Sequence, residues 1–255
     1  MNKQIKIWNT NINYKEFWEW NSDTIVILHW WWGKSDSWLE VSKLLEGHDF
    51  HIVVPDLPWF WKTEINRVFS LDDYATIIEN FIKELKLDNI ILWGHSNWGA
   101  ISIKIANNWK INISRLVLNN SAWIRNDKKR SFKRKIIWQI IKPFKLIKKI
   151  PWWKKLRNLF YRAIWSHDYL NAENNKYLKQ TYLNMISSDL KEDIKKVNID
   201  TLLIRWVEDT YTPLSDGNYM RDNIKKSRIV TLAWEKHWIH LHSPKKLVDS
   251  FLDNI

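Results

Sequence analysis

Short apolar runs alternate along the chain with stretches of helical periodicity, and that alternation limits the fold more than any other feature. The runs are Thr24–His29, His51–Pro55, Asn89–Trp93, Arg115–Leu118, Thr201–Ile204 and Arg228–Leu232. Runs this short, rich in Ile and Val and without a polar face, read as strands buried on both sides. Between them, Ser37–Leu45, Leu71–Leu85, Asn97–Asn107 and Pro244–Leu252 read as helices. Ser70 is the expected N-cap of the second, with Asp72 and Asp73 in its first turn. Strands and helices in this order predict an α/β fold, a mostly parallel central sheet flanked by helices.

The rhythm breaks between Ile124 and Lys196, where no strand is evident. From Arg125 to Arg162 the chain has 15 Lys or Arg and one acid, Asp127, interleaved with Ile136, Ile137, Ile140, Ile141 and Phe144. The expected organisation is therefore a core of 1–122 and 197–255, with 123–196 inserted as a basic helical cap. A chain of 255 residues accommodates such a core.

Two of the predicted strands lead into residues that carry chemistry. Asn89–Trp93 runs into Gly94-His95-Ser96-Asn97-Trp98-Gly99, at the start of a helix. With glycine at 98 this is G-x-S-x-G, a sharp strand-to-helix turn that projects a serine hydroxyl above a sheet. The residues two before and two after the serine are expected to be small, because backbones approach closely there. Downstream, Asp209 lies just beyond the strand Thr201–Ile204, and His237 just beyond Arg228–Leu232. Ser96, Asp209 and His237 thus follow the chain order Ser, Asp, His of hydrolases built on this turn. Glu208 beside Asp209, and His240 and His242 beside His237, are the competing residues. Asn119 and Asn120, after the strand ending near Leu118, cannot serve as the carboxylate. Cysteine is absent, which excludes a thiolate nucleophile and thiolate metal ligands.

The chain resembles the α/β-hydrolase superfamily, specifically its capped, cofactor-free members. The resemblance rests on the turn around Ser96, on His29-Trp30-Trp31-Trp32-Gly33, on Pro55-Asp56-Leu57-Pro58-Trp59-Phe60-Trp61 and on the region around His237. It implies that Ser96 attacks an acyl carbonyl, that His237 moves the proton and that Asp209 orients the imidazole. The backbone N–H groups of Trp31 and Asn97 would form the oxyanion hole. No metal or organic cofactor is implied. His29, His95 and His240 would be structural or wall residues, and Asp56 would close a turn. His242 stands where the family often has Glu.

The departures at tryptophan are systematic. Trp18, Trp20, Trp30, Trp32, Trp59, Trp61, Trp98, Trp206 and Trp234 sit where the family has glycine. The chain has 20 Trp and only 5 Gly, against the roughly 7% glycine of ordinary proteins. The pattern is that of UGA codons decoded as glycine but written as tryptophan. Taken as written, Trp98 would crowd the turn at Ser96 and Trp30 the oxyanion loop.

The expected activity is that of a serine hydrolase acting on a small acyl substrate, foremost a carboxylic ester. Thioesters, lactones, amides and C–C bonds are the alternative substrates of such a triad, and a ligand receptor that retains the fold is the alternative function. A net charge of +12 permits an anionic membrane surface as a partner of the cap, although a solvated lid is the plainer reading. No nucleic-acid module accompanies the charge. The N-terminal MNKQIKIWNT lacks the apolar core of a signal peptide, so the expected location is cytoplasmic.

Overall fold

The computed structural model describes residues 2–31, 33–58, 67–121, 172, 175–209, 211–235 and 237–255. Among these, eight strands form one sheet: β1 (Asn2–Ile7), β2 (Thr10–Phe17), β3 (Asp23–Leu28), β4 (Phe50–Pro55), β5 (Ile90–His95), β6 (Ile113–Asn119), β7 (Thr201–Trp206) and β8 (Ser227–Leu232). Their order is β1-β2-β4-β3-β5-β6-β7-β8. The first two pairings, β1 with β2 and β2 with β4, are antiparallel. All the others are parallel.

The six strands expected from apolar runs are all present. The β1–β2 hairpin is an addition. Its strands alternate Lys, Gln, Asn and Glu with Ile, so only every second residue reaches the core: Ile7 and Ile12 are buried while Lys6 and Asn11 are exposed. A polar, half-solvated edge strand lacks the continuous apolar signal of a central one.

Helices cover both faces. On one side pack α2 (Leu71–Glu84) and α3 (Trp98–Asn108), against Val26, Leu28, Leu92, Leu116 and Leu118. On the other pack α1 (Leu39–Leu44) and α8 (Pro244–Leu252), against Ile25, Ile27, Trp93 and Val117. Successive residues of β3 thus belong to opposite cores, as the period of two requires. Ile25 to Leu28 are all fully buried, each contributing about 1.5–3 kcal/mol by its removal from water. The remaining described helices are α4 (Lys176–Ser187), α5 (Lys191–Lys196), α6 (Leu214–Asn223) and α7 (Ile239–His242). The predicted cap at Ser70 is present as a reciprocal capping box: Asp73 N–H donates to Ser70 Oγ at 3.1 Å and Ser70 N–H to the Asp73 carboxylate at 2.8 Å. Most of the expected cap insertion, 123–196, including the whole basic stretch Arg125–Arg162, lies outside the described residues.

Four tryptophans occupy left-handed backbone: Trp8 (φ 51°), Trp18 (φ 51°), Trp109 (φ 55°) and Trp234 (φ 64°). Trp8 is the first residue of the two-residue turn between Ile7 and Thr10, a place where hairpins favour glycine or asparagine. Trp109 is the left-handed residue that ends α3, the usual seat of a terminating glycine. Trp18 and Trp234 are two of the positions at which the sequence resemblance implies glycine, and Trp8 and Trp109 share their left-handed backbone.

Candidate active site

The C-terminal ends of β5, β7 and β8 converge on Ser96, Asp209 and His237. β5 ends at His95, so Ser96 is the first residue after the strand and Asn97 is the N-cap of α3. Ser96 holds φ at 54°, a left-handed conformation that costs a non-glycine residue about 1–3 kcal/mol and persists only where the surroundings enforce it. Here Ser96 N–H donates to the Asn119 carbonyl at 3.0 Å, and Gly99 N–H donates to the Ser96 carbonyl at 3.1 Å. Close approach is required at Gly94 and Gly99. A Cβ on Gly94 would lie 2.7 Å from Gly99 Cα, and one on Gly99 would overlap the Ser121 side chain.

Position 98 differs from expectation. The Trp98 indole is fully buried and lies edge-on to Tyr74 at 5.0 Å and tilted against Trp31 at 5.5 Å. The turn holds this indole in place, and its close approaches are at Gly94 and Gly99.

A continuous hydrogen-bonded chain links the three residues. Ser96 Oγ lies 2.9 Å from His237 Nε2, and His237 Nδ1 lies 2.6 Å from Asp209 Oδ2. All three are nearly inaccessible to solvent. Asp209 is held from several directions. Its Oδ1 accepts from Tyr211 N–H at 2.7 Å and Thr212 N–H at 3.1 Å. Its Oδ2 accepts from Thr212 Oγ1 at 2.7 Å and from the Asn120 side-chain amide. Burial alone would push this carboxyl up. The hydrogen bond and charge of His237, with the donors of Thr212, outweigh burial and hold it well below the ordinary carboxylate range. Asp209 is therefore a fixed anion beside the imidazole. The neighbouring Glu208 is engaged elsewhere, accepting from Trp234 N–H at 2.9 Å.

The other histidines separate by environment. His95 Nε2 donates to the His237 carbonyl at 3.1 Å, tying the serine-bearing strand to the histidine loop. His240 stacks on Trp38 at 4.8 Å and 11°, while His242 is exposed. His29 Nδ1 donates to the Trp30 carbonyl at 2.8 Å, and its Nε2 accepts from Leu57 N–H at 3.1 Å. Asp56 accepts from Ser35 N–H at 2.7 Å. Trp31 and Asn97 follow the adjacent parallel strands β3 and β5, so their backbones share one edge of the sheet. Sequence reasoning did not single out Asn120, Thr212 or Tyr211 as partners of Asp209. The only sequence signal was the place of Asn120 at the end of β6. Among the described residues, no group of three or more His, Asp or Glu is arranged to hold a metal ion, and no helix is long and apolar enough to cross a membrane.

Burial disfavours the charged form of three of these histidines. It lowers His29 to about 4, against an opposing pull from the Trp30 carbonyl. It lowers His240 to about 3 and holds His95 well below its ordinary value, in both cases with help from neighbouring histidines. A histidine depressed in the folded state stabilises fully above its unfolded pKa of about 6.5. That stability is lost as pH falls toward the folded value, because only the unfolded chain binds the proton there. Unfolding at pH 5 is thus expected to take up close to three protons at these sites, each worth ~1.4 kcal/mol per pH unit. Urea midpoints measured from pH 7 to pH 5 check this: His240→Phe should reduce the proton uptake by about one, and an unchanged slope would refute the assignment.

Comparison with known proteins agrees with this architecture. A family model described as the alpha/beta hydrolase fold matches residues 23–135. An uncharacterized hydrolase of Bacillus subtilis, YugF, is 23% identical over 269 aligned positions, spanning 99% of this chain and 97% of the relative. An esterase from Exiguobacterium antarcticum superposes with a TM-score of 0.73 at 21% identity, covering 99% of this chain and 98% of the other. A bromoperoxidase from Bacillus anthracis does so with a TM-score of 0.73 at 16% identity, covering 99% and 98%.

Proposed function

We propose that this chain, a protein of the α/β-hydrolase fold, is a serine hydrolase that cleaves a carboxylic ester through an acyl-enzyme. The observation that carries the proposal is the unbroken chain from Ser96 Oγ through His237 to Asp209, at 2.9 and 2.6 Å, seated on the strained turn after β5. The Exiguobacterium protein, an esterase of the same fold, supports the choice of ester among acyl substrates.

Each residue then has one task. Ser96 Oγ attacks the acyl carbonyl while His237 Nε2 takes its proton. Asp209, kept ionised by its four other donors, holds Nδ1–H and stabilises the imidazolium. The tetrahedral oxyanion is received by the N–H groups of Trp31 and Asn97, aided by the positive end of α3. Each such donor is typically worth about 3–4 kcal/mol. The imidazolium next protonates the leaving alcohol. Water, deprotonated by His237, then releases the acid and restores Ser96.

Labelling with a fluorophosphonate, followed by mass sequencing, tests the proposal. The expected result is a single adduct on Ser96, blocked when His237 is replaced by Ala. Absence of label from folded protein, or label at another serine, would overturn it.

A further inference from the structure

Arg205 is a fully buried arginine on β7. Among the described residues it forms no ion pair within 4 Å, and its Nε has no partner. A charge removed from water in this way is costly unless its donors are fully used. Burial lowers its pKa to about 10, countered by the nearby negative charges of Asp216 and Asp209, so it remains a cation at neutral pH.

Its donors reach backbone on two sides of the site. Nη1 donates to the Ser121 carbonyl at 2.6 Å, just after β6. Nη2 donates to the carbonyls of Thr212 and Pro213, both at 2.9 Å. Thr212 is the residue whose N–H and hydroxyl both hold the Asp209 carboxylate. Ser121 is packed against Gly99, and its hydroxyl donates to the Gly94 carbonyl at 3.3 Å, so it borders the turn that carries Ser96. The guanidinium thus bridges the Asp209 loop and the Ser96 turn. Its planar fork suits this task, since one rigid group can serve carbonyls from separate segments, which a lysine ammonium on a flexible stem cannot do equally well. The fold also reserves space for it. A Cβ on Gly217, in α6, would fall 2.8 Å from Arg205 Nε and 2.9 Å from its Cγ.

We infer that Arg205 is a positioning residue: by clamping the Thr212 and Pro213 carbonyls to the end of β6, it sets the Asp209 carboxylate against His237 and so the alignment of the hydrolytic site. This rests on the serine-hydrolase reading of Ser96, Asp209 and His237.

The test uses Arg205→Met, Arg205→Lys and Gly217→Ala in the full chain. Turnover of a p-nitrophenyl ester is measured per fluorophosphonate-titrated site, so that misfolded protein does not count. The low-field proton resonance of His237 Nδ1–H, identified by its absence from His237→Ala, gives a readout independent of turnover. The expected result for Arg205→Met is a kcat lower by about 10²-fold with KM within about twofold, the loss that a displacement near 1 Å produces, together with a shifted or missing low-field proton. Arg205→Lys should recover part of kcat. Gly217→Ala keeps the charge but displaces the guanidinium, and should fall between wild type and Arg205→Met. A folded Arg205 variant with wild-type kcat per site and an unchanged resonance would overturn the inference. If neither Arg205 variant folds, Gly217→Ala decides in the same way. A wild type that takes no label at Ser96 would sink the hydrolase reading, while the resonance would still show whether Arg205 holds Asp209.

Discussion

Ser96→Ala is expected to abolish ester turnover, lowering kcat by at least ~10⁴-fold while leaving the fold intact. The size of the loss follows from the geometry. No other hydroxyl is described within hydrogen-bonding distance of His237 Nε2, which lies 2.9 Å from Ser96 Oγ. Removing Oγ therefore removes the nucleophile and the proton donor together. His237→Ala should lose about as much, and the double variant little more than either alone, because residues that act as a unit are strongly non-additive. Asp209→Asn should cost about 10⁴-fold: the amide can accept from Tyr211 and Thr212 yet cannot supply the charge that stabilises a protonated His237. Ser96→Ala also relieves no backbone strain, since alanine at φ 54° is as disfavoured as serine. Its melting temperature should stay close to that of the parent. Turnover by Ser96→Ala within tenfold of wild type would remove Ser96 from the mechanism.

Replacing Trp8, Trp18, Trp109 and Trp234 together by glycine is expected to stabilise the protein by roughly 3 kcal/mol. Left-handed backbone costs an L-residue about 1–2 kcal/mol, a penalty that glycine escapes. Three of the indoles give little in return: Trp8, Trp109 and Trp234 are 57%, 65% and 89% exposed, whereas Trp18 packs against the core and beside Phe17, so its lost burial cancels its gain. The greater freedom of glycine in the unfolded chain offsets part of the gain, leaving about 1 kcal/mol at each of the three exposed sites. For a chain of this size that corresponds to a melting temperature higher by about 6–12 °C. Trp20→Gly is the control. Trp20 is 80% exposed but is not among the left-handed residues, so its replacement should not stabilise. A quadruple variant no more stable than the parent would show that these turns tolerate tryptophan. The same physics bears on the natural polypeptide. Mass sequencing of protein made by its native translation machinery is expected to read glycine at these four positions, as decoding of UGA as glycine requires, and tryptophan there would refute that decoding.

The central strands, the helices that flank them and the three residues of the candidate site were legible in the sequence because each announces itself locally. A buried strand is an unbroken apolar run, a capped helix starts at Ser70, and a nucleophile turn is a strand, a short Gly-flanked segment and a helix in succession. Asp209 and His237 were legible as polar residues just past strand ends. The edge hairpin was missed because polar alternation resembles exposed loop, and the close approaches were expected at positions 94 and 98 but fall at Gly94 and Gly99, since which residue meets Ser121 depends on how α3 packs on β6. The partners of the site were not legible either. Asn120 and Asp209 are 89 residues apart, His95 and His237 142, and Arg205 and Ser121 84. The sequence by itself determined which side chains stand at the strand ends, because turn chemistry and the period of two act over a few residues. Only the tertiary structure decided which of them meet, because the parallel register of β5, β6, β7 and β8 brings distant strand ends to one edge and leaves each buried polar group to find its partner there.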